Sequence, residues 1–393
     1  MTTTRKPFQK SALAIAAMLV VGIAPTQEAL AASCTCNPAI NNWGTVGGWS
    51  CGVVPTGPAN DSATIGLGKT VAVNTAQSIF TLLNAGTINI DASTFTLQGG
   101  GSTTNTGTIN VGSGSTAALQ MSNSIANSGG FINIANGSVL NQFTGAITGG
   151  TISTAGTGAL VAFSNGGNIL SGVTFSGLID AATIANSRER IGNGVTLNGA
   201  VNIANGGIVS FYSTLGAANS IGGSGTFNLN DAGARLAIDG TGSTTLGSGI
   251  TVRGQGNFGS PINVGGDNAL TLNGMVSADV SGGTLNIVAP GNGGGSSFVN
   301  NGTLRAINGG TLLLSTNIAS NLGSQIVAGA GSPVVQNGVI LNGVINVSGT
   351  GSFQAISSGN NMLDGVNFTG TLDTATIANL RQRFTNGATL TAR

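Results

Sequence analysis

Gly86-Thr87-Ile88-Asn89-Ile90 decides the fold, and Gly107-Thr108-Ile109-Asn110-Val111 repeats it 21 residues later. Apolar residues two apart, with one polar residue between them, mark a strand that buries one face. The apolar-Asn-apolar unit returns as Ile132-Asn133-Ile134, Val201-Asn202-Ile203, Phe227-Asn228-Leu229, Ile262-Asn263-Val264, Leu285-Asn286-Ile287 and Ile345-Asn346-Val347. Gly, Asn and Ser clusters bound each copy, as turns require. Abundant Gly and β-branched apolar residues argue against helices.

The spacing turns these strands into a coil. Gly86, Gly107, Gly130, Gly150, Gly177 and Gly199 open comparable strands at steps of 21, 23, 20, 27 and 22 residues. One strand signal per step predicts a solenoid in which each coil stacks on the last. At about 22 residues per coil the chain makes roughly 15 coils, and a ~4.8 Å strand spacing gives a stack of about 70 Å. A longer period lies above the first. Gly150 to Leu197 aligns without gaps on Gly343 to Leu390, an offset of 193. Ala182-Thr183-Ile184-Ala185-Asn186-Ser187-Arg188-Glu189-Arg190 returns as Ala375-Thr376-Ile377-Ala378-Asn379-Leu380-Arg381-Gln382-Arg383. Gly302, Gly323, Gly343 and Gly370 repeat the steps 21, 20 and 27. A duplicated block, residues 104–198 and 299–391, explains this. The first copy runs on past Leu197 while the second stops three residues after Leu390, which predicts a fragment of a longer repeat protein.

Composition removes several kinds of chemistry. Of 393 residues 67 are Gly, 12 are Lys or Arg, 11 are Asp or Glu, and none is His. Without imidazole there is no Ser-His or Cys-His nucleophile pair and no His-built metal site. A net charge of +1 supplies no basic stripe for phosphates, so no nucleic-acid partner is expected. At 40% apolar residues the chain is too hydrophobic for disorder. One Tyr, two Trp and 14 Phe predict a narrow aliphatic core without large aromatics.

Residues 1–31 read as a Sec-type signal peptide. Arg5, Lys6 and Lys10 precede an apolar run from Ala12 to Ala24, and Ala29-Leu30-Ala31 supplies small residues for cleavage. The run is too short to span a bilayer. Export implies an oxidising compartment, so one disulfide from Cys51 to Cys34 or Cys36 is expected. Three thiols with Cys34-Thr35-Cys36 so close make a poor zinc site. Residues 32–58, with Trp43, Trp49, Pro55 and Pro58, read as an N-terminal cap, and 59–393 as the solenoid.

Trp49-Ser50-Cys51-Gly52-Val53-Val54-Pro55-Thr56, followed by Asn60-Asp61-Ser62-Ala63-Thr64-Ile65, resembles the opening segment of bacterial surface β-solenoids. Asn301-Gly302-Thr303-Leu304, Asn308-Gly309-Gly310-Thr311-Leu312 and Leu363-Asp364-Gly365-Val366 likewise resemble the passenger domains of autotransporters and haemagglutinin-like adhesins. The resemblance covers nearly all of residues 45–393. It implies an all-β, right-handed parallel β-helix that is secreted or held at a bacterial cell surface. No stretch resembles the translocator barrel of that family.

Candidate sites are few. Arg188 and Arg190, echoed as Arg381 and Arg383, share a strand face and could hold carboxylates of an acidic polysaccharide bidentately. The plainer reading is a solvated turn, because Glu189 returns as Gln382 and no aromatic platform accompanies the cluster in sequence. Asn89, Asn110, Asn133, Asn202 and Asn346 are expected to form one outward stripe. It would be either a glycan-binding array or, the favoured reading, a stacked amide ladder. The carboxylates Asp61, Asp91, Asp180, Asp231, Asp239, Asp267, Asp279, Asp364 and Asp373 are scattered singly, unlike the clustered acids of β-helix lyases and hydrolases. Gly291-Asn292-Gly293-Gly294-Gly295 lacks the follow-on of a phosphate loop. No catalytic residue, cofactor or metal is expected. The sequence predicts an exported, non-enzymatic structural and adhesive rod acting by many weak contacts, with glycans or cell-surface polymers as partners. An open parallel edge at its end would permit end-to-end association. A carbohydrate-active β-helix enzyme and a purely architectural spacer are the alternatives.

Overall fold

The computed structural model describes residues 31–37, 41–213, 217–262, 265–292 and 295–391. The chain divides into Met1–Leu30 and Ala31–Arg393. The expected signal peptide falls, apart from Ala31, outside the described residues.

Each coil has three short strands, one per face of a triangular prism. Ser62–Ile65 lies on the first face, Thr70–Val73 on the second and Gln77–Ile79 on the third. Thr81–Asn84 then returns to the first face, parallel to its predecessor with Ser62 opposite Thr81. The pattern holds along the chain. Sixteen parallel strands, from Ser33–Thr35 to Leu372–Asp373, build the first face, giving about 15 intervals of ~4.8 Å. The second and third faces are fused where the eight-residue strands Thr174–Ala181 and Thr196–Ile203 turn the corner between them. The fold is a parallel β-solenoid of roughly 15 coils, and its inter-coil ladders satisfy the backbone that such short strands would otherwise leave unpaired.

Seven of the eight apolar-Asn-apolar units lie on strands with both apolar residues buried and the Asn half-buried on the outside. In the eighth, Asn263 and Val264 lie outside the described residues. Val71, Ile88, Ile109, Ile132, Ile152, Phe175 and Leu197 stack in register as one inward column of the second face. Every member is at most 1% exposed.

The expectation of a core without large aromatics is corrected. Phe95, Phe175, Phe211, Phe227, Phe258, Phe298 and Phe353 are among the largest fully buried side chains. Phe211 of the first face meets Phe227 of the third edge-to-face at 5.2 Å, and Phe258 meets Phe298 of the second face at 6.3 Å. Three faces enclose an interior wide enough for a ring from one wall to reach a ring on another, a geometry that aromatic quadrupoles favour.

The duplication gains a geometric meaning. Thr151–Thr154 lies on the second face, whereas Val344–Val347, its partner 193 residues on, lies on the third. Following the pairings from one to the other crosses eight full turns and one additional face. The two copies are therefore rotated by one face. The anomalous 27-residue steps mark the same slip within each copy. Gly150 opens a second-face strand while Gly177 sits at the corner leading to the third; Gly343 opens a third-face strand while Gly370 leads to the first.

The strand-opening glycines are set by close approach between coils. A Cβ on Gly107 would lie 2.0 Å from the Gly86 carbonyl oxygen and 2.7 Å from the Ala85 carbonyl carbon. Backbone on both sides leaves nothing flexible to yield. Gly107→Ala is expected to destabilise by about 2 kcal/mol in chemical denaturation. Gly222→Ala, where a Cβ meets nothing within 4 Å, is expected to stay within about 0.5 kcal/mol. Equal effects at the two positions would refute the steric account.

Candidate functional site

The N-terminal segment closes over the first coil. Cys34 and Cys51, 17 residues apart, are disulfide-bonded with Cα atoms 5.0 Å apart. Cys36 is buried and reduced; burial pushes its thiol up, and Lys69 pulls the other way more weakly. Trp43 is fully buried, donates its indole N–H to the Pro55 carbonyl (3.3 Å) and packs on Phe95 at 4.8 Å. Trp49 donates to the Trp43 carbonyl at 2.8 Å. These contacts fix the chain against the stack end, and they are structural.

Arg188 and Arg190 lie on the first-face strand Arg188–Gly192, half-buried and on its outer side. The segment is a strand and not a solvated turn, because it pairs in register with the first-face strands of both neighbouring coils, with Glu189 pointing inward. Tyr212, from the next coil, supplies the aromatic partner that the local sequence lacks: the Arg190 guanidinium sits 5.2 Å above its ring centroid, within cation–π range. Arg381 and Arg383 are exposed, with Arg383 on the second-face strand Arg383–Thr385. Eight turns at ~4.8 Å place the two Arg pairs about 40 Å apart along the axis, and on different faces. They do not form one site.

Glu189 is 1% exposed and neither carboxylate oxygen has a hydrogen-bond partner. Burial pushes its carboxyl well above the usual range. The Arg190 amide opposes this only weakly, since it is committed to the Asn168 carbonyl at 3.0 Å.

The expected single stripe of asparagines is two stripes. Asn110 donates to Asn89 Oδ1 at 2.8 Å and Asn133 to Asn110 Oδ1 at 2.9 Å on the second face. Asn202 lies on the third face, where it accepts from Asn228 at 2.9 Å, and Asn346 lies further along that face. The rotation of the repeat explains the break. Asn89, Asn110 and Asn133 pair with one another between coils, as do Asn202 and Asn228, and these are ladders; Asn346 donates instead to Gln325 Oε1 at 3.4 Å.

Sequence reasoning missed a second ladder inside the prism. Asn84 donates to Asn105 Oδ1 at 2.7 Å, and Asn105 to Asn127 Oδ1 at 2.7 Å. Asn84 is 1% exposed and the other two are fully buried. The signal was present in Asn84-Ala85-Gly86, Asn105-Thr106-Gly107 and Asn127-Ser128-Gly129, where Asn stands two residues before a glycine in successive coils.

Most described carboxylates are spent on turns and coil-to-coil contacts. Asp61 accepts the Ala32 and Thr56 amides at 2.6 and 2.9 Å. Asp180 accepts the Ala182 and Thr183 amides, and Asp373 accepts those of Ala375 and Thr376 in the same way. The Thr376 hydroxyl, then the two amides, hold the Asp373 carboxyl below the usual range. Asp231 bridges the Gly233 amide and the Asn205 amide of the preceding coil. Asp279 is different: it forms an ion pair with Arg253 at 2.8 Å in a groove on the third face. Among the described residues no group of three or more Cys, Asp or Glu side chains is arranged to hold a metal ion. No helix among them is long and apolar enough to cross a membrane.

Fold and surface define a three-faced parallel β-solenoid with ladder-stitched outer walls. No protein-family model and no curated protein matches the chain. Among solved structures it is similar to the crystal structure of the TibC-catalysed, hyper-glycosylated TibA 55–350 fragment. That match has a TM-score of 0.34 and 17% identity, covering 84% of this chain and 97% of the other.

Proposed function

We propose that this protein is an exported, non-enzymatic adhesive rod of the autotransporter-passenger and haemagglutinin-like kind, binding surface polymers by repeated shallow contacts. The observation that carries the reading is the division of polar groups between structure and surface. Most described aspartates are fixed in ground-state hydrogen bonds at turns and between coils, which leaves them poorly placed for acid–base work. The outer walls present Asn, Thr and Ser side chains coil after coil, with arginines on a few of them, and the coils repeat at ~4.8 Å along the axis. Repetition at that spacing suits a polymer that meets many equivalent weak contacts at once. The Cys34–Cys51 disulfide supports an oxidising compartment outside the cytoplasm.

The test is a glycan array, with product analysis, on the mature chain. Binding to polymeric ligands without new reducing ends is the expected result. Shortened oligosaccharides would overturn the non-enzymatic part, and failure to bind any glycan or cell surface would replace adhesion with a purely architectural role. A length series separates multivalency from a single pocket: affinity is expected to rise at least tenfold from a disaccharide to a decasaccharide.

A further inference from the structure

We propose that the groove on the third face is a built site for a carboxylate-bearing sugar of the uronic-acid class, with Arg305 as its principal anchor. The groove is about 330 Å³ and is lined by Thr251, Arg253, Ser277, Asp279, Arg305 and Asn308, with Met275 also on its wall. Arg253, Ser277 and Arg305 occupy one outward column in register on three successive coils. The two arginine Cα atoms are therefore two strand spacings, or about 10 Å, apart.

Each guanidinium is held by one protein contact. Arg253 is pinned by Asp279 Oδ2 at 2.8 Å, with its own side chain 51% exposed and that of Asp279 only 5% exposed. Arg305 donates Nε to Ser277 Oγ at 3.0 Å. Elsewhere in this column the chain uses Asn202, Asn228 and Asn346, short amides that reach the neighbouring coil with a single bond each, Asn228 to Asn202 and Asn346 to Gln325. An inter-coil staple needs no more than that. A guanidinium brings five donors, and the Ser277 bond engages one of those on Arg305. Asp279 Oδ1 also lacks a donor but is buried, so the open donors of the groove are those of Arg305.

The unmet chemistry specifies the ligand. A planar carboxylate matches the free edge of a guanidinium bidentately, and sugar hydroxyls suit Asn308 and Thr251. The half-buried thioether of Met275 offers an apolar, polarisable surface to the C–H face of a sugar ring. A neutral sugar would leave the Arg305 fork unmatched. Fixing both guanidiniums before binding lowers the ordering cost that an exposed arginine normally carries. The site deepens the adhesive reading and rests on it for the expectation that the rod meets such polymers.

Titration calorimetry of the full chain with an oligogalacturonate, against a neutral galactose oligomer of the same length, tests the site. Saturable binding of the acidic oligomer, at least tenfold tighter than the neutral one, is expected. Arg305→Met is expected to weaken it at least tenfold, and Arg305→Lys, which keeps the charge but not the fork, to recover only part of the loss. An unchanged melting temperature in both variants excludes misfolding. Equal binding of the neutral oligomer, no saturable binding of the acidic one, or an unaffected Arg305→Met variant each overturns the proposal. Adhesion of the whole rod is read separately on glycan-coated surfaces. If the rod adheres while the oligogalacturonate does not bind, the groove fails and the adhesive reading stands. If the oligogalacturonate binds but the rod adheres to nothing, the adhesive reading fails and the site stands.

Discussion

Asn105→Ala is expected to lower the unfolding free energy by about 3–4 kcal/mol, whereas Asn110→Ala, on the outer wall, loses less than about 1 kcal/mol. Both residues sit mid-ladder with an amide above and below. The difference is water. Asn105 is fully buried, receives Asn84 Nδ2 and donates to Asn127 Oδ1, each at 2.7 Å, and also reaches the Phe131 carbonyl at 3.3 Å. Removing it strips partners from two buried amides at once, at about 1–3 kcal/mol for each unsatisfied group, and leaves a cavity. Around Asn110, solvent replaces what is lost. Because each coil contacts chiefly its neighbours, the damage is expected to be local. Hydrogen exchange is therefore the sharper readout, with amides of residues 81–134 losing protection and those beyond residue 300 unchanged. Similar losses in the two variants would show that the inner ladder is no more than a copy of the outer one.

Glu189→Gln is expected to stabilise the protein at pH 8 by about 1–3 kcal/mol and to flatten its pH dependence. In the native state burial raises this carboxyl well above its ordinary 4.5, so the folded chain holds the proton more tightly than the unfolded chain does. The stabilisation is complete below pH 4.5 and declines as pH rises toward the folded value. Across that window the unfolded state has released its proton and the native state has not, which costs about 1.4 kcal/mol per pH unit. Glutamine carries no charge to desolvate. Glu189 pairs in register with Val209, and Val209 with Leu236, so Glu189→Leu extends an aliphatic column and is expected to stabilise as well. Urea midpoints between pH 4 and 8 decide the matter. A wild-type midpoint that does not fall with pH relative to Glu189→Gln would mean that the carboxyl is solvated and ionised in the native state.

Most of the architecture was readable in short windows. Ile88-Asn89-Ile90 and its relatives specify strands with one buried side, and their regular recurrence specifies a stack. The same windows misjudged the interior. Seven fully buried phenylalanines fit because three walls enclose a wide prism, a property of the assembled coil that no single unit reports. Asn84, Asn105 and Asn127 were hidden for a similar reason. An Asn before a turn is ordinarily read as exposed, and only stacking supplies the amide above and the amide below that allow burial. Arg188-Glu189-Arg190 shows both sides of this. Alternation placed the arginines together on one side of a strand, but the burial of Glu189 and the arrival of Tyr212 depend on the next coil.

The sequence by itself determined that this chain is a stack of short parallel strands, for the alternation that selects a strand and the glycines that permit its turns act over a few residues. Only the tertiary structure decided which wall each strand faces. That depends on the accumulated length of every turn before it, so a 27-residue step or a 193-residue offset moves matching residues round the prism by one face. The two arginine pairs are separated, the asparagine stripe is broken, and Arg253 and Arg305 are brought into one groove, all through the same counting along the coil.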